Sequence, residues 1–436
     1  MIKTSNLVSM DQYYSRLIEK HLVELMHELP AIAIDGLKGI GKTATATRLA
    51  QTVFELDKEG DAILVANSMS RLGTSPRPVL IDEWQKIPQV WDFVRREVDA
   101  GAPAGAFLLT GSIANADVNI HSGAGRILKT RMFPLSLAER GLSAPTVSLG
   151  SMLASGTPFA LPIAGETEIR FEQYMQEIVA SGLPGLRRFS SSARSRMMDS
   201  YLASMLSHDF VQQGIHLRQP QTLMRWLRAY AASVSTDAGY TEILDASTPG
   251  ESAKPAAKTT IAYREALENL WLIDEVPAWL NGTDYHARLK RTPKHFLADP
   301  AFAAYLLNID SDRIQDPSSA ETGFDAKYGN IVGRLFESLV QLSLRTYAAV
   351  NDATLSFLRT QSGHHEVDFI LQRGNHVVAV EVKLSPSVKD DDVRHLLWLK
   401  EIMGTDLSDA VVLTTGNLAY RRQDGIAVVP AVLLGA

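Results

Sequence analysis

The chain has 436 residues, 45% hydrophobic and 21% charged, long enough for two or three domains and ordinary enough in composition to exclude no globular class. It has no cysteine, which excludes disulfides and thiolate metal sites. Any metal must be held by carboxylates, carbonyls, histidines or water, and a cytoplasmic address fits. A net charge of −6 argues against a uniformly basic nucleic-acid-binding coat, though not against a local basic groove.

The N-terminal stretch has scattered charges and no long apolar run, so it reads as neither signal peptide nor membrane span. Residues 11–28 have helical apolar spacing, and AIAID (31–35) is a short buried strand. Strand-like runs recur at AILVA (62–66), PVLID (78–82) and AFLLTG (106–111), with helical patterns between them. That alternation predicts a parallel α/β sheet.

After the first strand, Gly36, Leu37, Lys38, Gly39, Ile40, Gly41, Lys42 and Thr43 fit G-x-x-x-x-G-K-[ST] without a mismatch, at a strand-to-helix turn where that motif cradles nucleotide phosphates. Backbone N–H groups and the helix N-terminus face the phosphates, Lys42 bridges the β- and γ-phosphates of ATP, and the Thr43 hydroxyl ligates Mg²⁺. PVLID delivers Asp82 and Glu83 to a strand end. Asp82 is expected to hold the Mg²⁺ shell and Glu83 to polarise the attacking water, which marks hydrolysis rather than binding alone. Thr110 and Ser112 stand where a γ-phosphate sensor would. Arg126 and Arg131 are either arginine fingers toward a neighbouring subunit of a homo-oligomer or surface ion-pair partners.

Residues 141–168 are rich in Gly, Pro, Ser and Ala, and 146–168 reads as a linker. The pattern is then mostly helical: 169–220 as a lid, followed by helices at 221–234 and 259–276 and a strand ending near Trp279. A helix pair followed by a strand hairpin predicts a winged helix over 221–309. Its hairpin would carry HARLKRTPKHF (286–296), the densest basic cluster, as a solvated wing tip or, less favoured, a nucleic-acid contact. A polar linker (310–325) precedes a C-terminal unit, 326–436, with the order α-β-β-β-α-β.

Within that unit, Gly374-Asn375 suits a two-residue type II′ hairpin turn. Pairing Arg373 with His376 puts Ile370 opposite Ala379, Asp368 opposite Glu381 and Glu366 opposite Lys383. Val367, Phe369, Leu371, Val378, Val380 and Val382 then share the other face. Directly opposed carboxylates repel unless a divalent metal lies between them. A wetted hairpin face with an ordinary Glu366–Lys383 pair is the alternative.

The chain resembles bacterial and archaeal ATPases of the AAA superfamily whose C-terminal domain, long labelled as of unknown function, is similar to PD-(D/E)XK nucleases. The resemblance rests on an ordered set: GLKGIGKT, IDEWQKIPQVWDFVRREVD, LLTGS, FPLSLAE, SGLPG, YLASMLSHDF, PKHFLADPAF, GRLFESLVQ, and GHHEVDFI with VAVEVK. It departs where Ala301-Phe302 follows Asp299-Pro300, and in a compact stretch before Asp82. It implies an AAA-type ATPase domain (1–145) and a restriction-endonuclease-like domain (326–436). There Asp368 and Glu381 would be metal ligands, Lys383 the catalytic lysine of the D-x(n)-E-x-K pattern, and Glu337 the helical glutamate. Two carboxylates holding Mg²⁺ activate water, and a lysine two residues on shares their face. Helical counting sets Glu337 off the stripe of Val332, Leu335, Phe336 and Leu339, so a solvent-facing position is equally open.

The expected function is therefore ATP hydrolysis coupled to a Mg²⁺-dependent (alternatively Mn²⁺-dependent) nuclease-like domain acting on DNA. The alternative is a regulatory ATPase switch whose C-terminal domain binds nucleic acid or protein without cleaving it. A scaffold that merely binds nucleotide is a third reading, against which Glu83 speaks.

Overall fold

The computed structural model describes residues 13–112, 123–212, 220–248, 257–279, 292–310, 325–360 and 363–436. Strands β1 (Ala31–Asp35), β2 (Thr52–Glu55), β3 (Val79–Asp82), β4 (Phe107–Thr110) and β5 (Leu128–Arg131) form a parallel sheet in the order β2-β3-β4-β1-β5. β1, β3 and β4 are buried on both faces, which is why they read as continuous apolar runs. Ala31, Ala33, Val79, Ile81, Phe107 and Leu109 pack with Val90, Trp91 and Val94 of helix Gln89–Asp99. Ile32, Ile34, Leu80 and Leu108 face the other way, with Ala46 of helix Lys42–Leu49, in a core that continues through the rest of the chain.

AILVA is not a strand. It lies in helix Glu59–Asn67, with Glu59 and Asp61 in the favourable first turn and only Val65 buried; the strand of this unit is the less apolar β2. A short apolar run has no period long enough to separate the two conformations.

The segment expected to be the linker 146–168 belongs to the C-terminal sheet. β6 (Val147–Ser148) pairs with β14 (Leu434–Gly435), helix Leu149–Ala154 packs on the sheet through buried Leu149, Met152 and Leu153, and β7 (Gly165–Glu166) forms the sheet's edge. Its glycine and proline content hid this, because these few apolar anchors carry the docking.

Helices Phe171–Ala180, Ser191–Ser204, Pro220–Ala232, Tyr240–Ser247, Ala257–Asn269 and Pro300–Leu306 follow. The helix expected to run to 276 stops at Asn269, and Trp271 takes φ 62°. Beyond it two extended segments meet through antiparallel bridges Ile273↔Leu297 and Val276↔Lys294, the flanks of the expected hairpin. Residues 286–291 of the basic cluster lie outside the described residues. Ala278 bridges to Phe357, so this segment also lines the C-terminal sheet.

That sheet runs β7-β12-β13-β11-β10-β9-β8, with β8 (Thr354–Arg359), β9 (Glu366–Arg373), β10 (His376–Val382), β11 (Leu407–Thr414), β12 (Leu418–Arg421) and β13 (Ala427–Pro430). Helix Asp325–Ala349 packs on one face and helix Arg394–Met403 on the other. The hairpin has the expected register from His376↔Arg373 to Val380↔Phe369, and Gly374 has φ 59°. The expected faces need one correction. Between β8 and β9 the pairing jumps from Ser356↔Ile370 to Leu358↔Val367, so Phe357 opposes both Asp368 and Phe369. This bulge turns Val367 into the core against helix Arg394–Met403, opposite Phe369 and Leu371.

Candidate active sites

At the phosphate loop the chain leaves β1 through Gly36 (φ 145°), Gly39 (φ 84°) and Gly41 (φ 95°), and the helix begins at Lys42. A Cβ on Gly36 would stand 2.3 Å from the Met132 carbonyl oxygen, so that position has room only for glycine. Lys42 is buried, and its ammonium donates to the carbonyls of Gly36 (2.7 Å) and Leu37 (2.9 Å). Burial lowers it to about 8, against the pull of Glu83, Asp35 and Asp82.

Thr43 Oγ1 donates to Asp82 Oδ1 at 2.8 Å, and the Thr110 hydroxyl donates to the same oxygen. Glu83 follows in the left-handed region (φ 51°), uncommon for a non-glycine residue. Its carboxylate accepts from the Gln85 amide and from Ser112 Oγ at 3.4 Å. Lys42, Thr43, Asp82, Glu83, Thr110 and Ser112 are thus brought together at the C-terminal ends of β1, β3 and β4.

Sequence reasoning missed the supports of this loop. Arg16 donates to the carbonyls of Ile40 (2.7 Å) and Phe133 (2.6 Å) and pairs with Glu139 (3.1 Å), all buried. Tyr201 donates to the Lys38 carbonyl at 3.0 Å, and Lys38 lies 3.6 Å from Asp209, so the helical region touches the loop. Asp35 ends β1 as Asp82 ends β3; burial raises it to about 6, with Lys129 and Lys42 opposing. That parallel was the available signal.

The two arginines separate. Arg126 is half-exposed and pairs with Asp99 at 2.8 Å. Arg131 is committed within its own chain: it pairs with buried Asp274 at 2.9 Å and lies 4.6 Å from the ring centres of both Phe133 and Trp271. A finger toward a neighbouring subunit is not available to it in this arrangement.

The C-terminal site gathers three separate segments. Glu337 comes from helix Asp325–Ala349, Glu366 and Asp368 from the bulged part of β9, and Glu381 and Lys383 from the end of β10. Regular pairing stops at Val380↔Phe369, so Asp368 and Glu381 stand just past the last paired residues. Asp368 Oδ2 accepts from the Val382 N–H at 2.9 Å. Lys383 donates to Glu381 Oε1 at 2.7 Å, while Glu381 Oε2 is buried without a hydrogen-bond partner.

Glu337 faces this cluster, because the helix is buried around most of its circumference and the stripe does not mark its only inward face. Burial raises Glu337 to about 8, Asp368 adding and Lys294 opposing; burial, then Asp368, raises Glu381 to about 8. The unforeseen member is Lys294, from the basic cluster expected at a solvated wing tip. Its side chain is 3% exposed, and its ammonium lies 2.7 Å from Glu337, 3.0 Å from Asp368 and 3.7 Å from Glu366. Burial alone would lower it; Glu337 and Asp368 more than reverse that and hold it charged.

Both donor sets fit a hard divalent cation: hydroxyl and carboxylate at Thr43 and Asp82, carboxylates with one unpartnered buried oxygen at Asp368 and Glu381. Among the described residues, no three His, Cys, Asp or Glu side chains stand in a ready-made metal cage. Nor is any helix among them long and apolar enough to cross a membrane.

Three family descriptions match parts of the chain: an AAA domain over residues 28–140, a domain of unknown function (DUF8612) over 171–313 and a domain of unknown function (DUF4143) over 332–434. Uncharacterised proteins of Mycobacterium bovis and Mycobacterium tuberculosis are each 23% identical over 417 residues, covering 93% of this chain and 81% of theirs. Among solved structures, the Walker-type ATPase of Pyrococcus abyssi aligns with 14% identity and a TM-score of 0.38, over 67% of this chain and 96% of its own. With the phosphate loop in place, the N-terminal region is an AAA-type, P-loop ATPase-like domain.

Proposed function

We propose that the protein hydrolyses ATP at the phosphate loop and couples this to Mg²⁺-dependent cleavage of DNA by its C-terminal domain. The observation that carries the first half is the convergence of Lys42, Thr43, Asp82, Glu83 and Ser112 on one sheet edge. Lys42 exchanges its loop carbonyls for β- and γ-phosphate oxygens, and the Thr43–Asp82 pair orients the ion that accompanies ATP. Glu83 accepts the proton of the attacking water, and Ser112 and Thr110 hold the two carboxylates in place. When bound, Mg²⁺ supplies charge neutralisation of the phosphates. Lys42→Ala should abolish ATP binding or turnover, measured by phosphate release; persistent turnover refutes the assignment.

The second half rests on Glu337, Asp368, Glu381 and Lys383 meeting in one partly buried cluster. Asp368 and Glu381 would hold a divalent cation, which activates water for attack on a phosphodiester, and Lys383 would steer that water. The residues 221–309 would act as a winged helix presenting DNA. Incubation with DNA, Mg²⁺ or Mn²⁺ and ATP should give cleavage that Asp368→Ala removes. Cleavage that survives Asp368→Ala would come from elsewhere.

A second reading is favoured by Lys294, which already pairs with Glu337 and Asp368: an ATPase switch whose C-terminal domain binds DNA or protein without cutting. Absence of cleavage on all DNA and RNA forms selects it.

A further inference from the structure

We propose that Lys294 is a tethered cation that keeps the C-terminal acidic site closed to divalent metal, and that the site opens when the segment carrying it withdraws. The inference rests on the reading that Asp368 and Glu381 are metal ligands.

The ammonium takes up Asp368, one of the two proposed metal ligands. It reaches Glu337 and Asp368 within 3.0 Å and Glu366 at 3.7 Å, bringing together carboxylates from a helix and a strand. Lysine suits this seat, because it is a point charge with three donors. Lys294 and Lys383 each meet carboxylates of the cluster, yet Glu381 Oε2 still lacks a partner. The cluster is therefore compensated only in part, which is the state a cation site needs when it is to be filled and emptied.

A buried ion pair is weak evidence for stability, since apolar side chains of similar volume serve a core as well or better. A lysine brought here from a distant segment calls for another role.

Its tether supplies one. Lys294 and Val276 exchange both backbone hydrogen bonds at 2.9 Å. On the same extended segment, Asp274 accepts from Arg131 (2.9 Å), from Gln341 (2.8 Å) and from Arg345 (3.2 Å). Arg131 is the β5 register partner of Asp35, the residue that enters the phosphate loop. Gln341 and Arg345 lie on the helix that carries Glu337. The two bridged segments therefore touch the strand beside the nucleotide site at Asp274 and the acidic site at Lys294. A shift of β5 against that helix pulls on the link that seats the lysine.

The test is titration of the full chain with Mn²⁺ alone, followed by calorimetry. Lys294→Met should bind on the order of tenfold tighter than wild type or more, because a positive charge 3.0 Å from Asp368 is gone. Adding Asp368→Asn should remove the gain. Asp274→Asn, which leaves Lys294 in place but loosens the segment bridged to it, should give a smaller gain of the same sign. Binding by Lys294→Met no tighter than wild type, with Asp368→Asn still weakening wild type, overturns the tethered cation and leaves the metal site standing. Binding indifferent to Asp368 in every variant refutes the metal site itself. No gain in Asp274→Asn overturns the opening by withdrawal. Lys294→Gln, folded as judged by circular dichroism, replaces the methionine variant if that one does not fold.

Discussion

The phosphate loop and the C-terminal cluster both pair carboxylates with a buried lysine, yet they are assembled differently. At the first, Asp82 and Glu83 come from the end of a strand in one parallel sheet and Lys42 from the start of the helix after the adjoining loop, and the lysine rests on backbone carbonyls. At the second, Glu337, Asp368 and Glu381 come from a helix and two strands, and the lysine that meets them arrives from a hairpin flank outside that fold. In the first site the protein's own groups leave the carboxylates to hydroxyls and an amide; in the second, ammonium groups already sit on them. The first is poised for an incoming anion with its cation, while the second already holds cations of its own chain.

That contrast sets the largest expected effect. Glu83→Gln should lower ATP turnover by about 10²–10⁴-fold, the range for loss of a general base, and leave nucleotide binding in place. Turnover measured beside equilibrium binding separates the two. Unchanged turnover would mean that Glu83, strained at φ 51°, serves the turn and not the chemistry.

The second effect falls on the link between the sites. Asp274 is buried with Arg131 and Arg345 around it, and Asp274→Asn should cost about 3–5 kcal/mol in denaturant unfolding, the range for breaking a buried charge network. Burial would raise its carboxyl, but Arg131 and Arg345 prevail and hold it at about 2, below the ordinary 3.8. A depressed folded-state value adds stability that is present above the ordinary value and lost as pH falls through the folded one. Wild type should therefore lose this increment between about pH 4 and pH 2, and Asp274→Asn should not. Parallel acid titrations of the two would deny the network its weight.

How far each site was legible follows from how it is built. A phosphate loop is contiguous, and each position has its own mechanical reason, so Gly36 through Thr43 could be read in order. The hairpin register was equally local: the turn at Gly374 determined the pairing down to Val380↔Phe369. The bulge at Asp368 and Phe369 was not legible, because it depends on Phe357 of a third strand. Lys294 was not legible either. In its own neighbourhood it is one cation among several at a turn, and its bridge to Val276, on the stretch whose Ala278 bridges to Phe357 of β8, turns it inward. Arg131 misled for the same reason, since its partner Asp274 lies 143 positions away.

A smaller effect tests the joint between the ATPase-like domain and the helical region. Asp299 caps helix Pro300–Leu306 by accepting from the Ala301 N–H at 2.9 Å, and its other oxygen accepts from Ser181 Oγ and the Gly182 N–H, each at 2.6 Å. A Cβ on Gly182 would stand 2.8 Å from Pro134, so this turn is pressed against the ATPase-like domain. Asp299→Ala should cost about 1–3 kcal/mol, the penalty for a lost cap and stranded buried donors. A change within a few tenths would show that water replaces the carboxylate.

The smallest effect isolates what is local in the C-terminal site. Gly374 has φ 59° with open space where a Cβ would stand, so Gly374→Ala meets no neighbour and bears only the backbone cost of the left-handed region, about 1–2 kcal/mol. The turn holds β9 to β10 but lies at the far end of the hairpin from Asp368. Mn²⁺ affinity should therefore stay at the wild-type value while the melting temperature falls. If affinity falls with it, the turn sets the spacing of Asp368 and Glu381 directly, and the second site is more local than its three-segment construction implies.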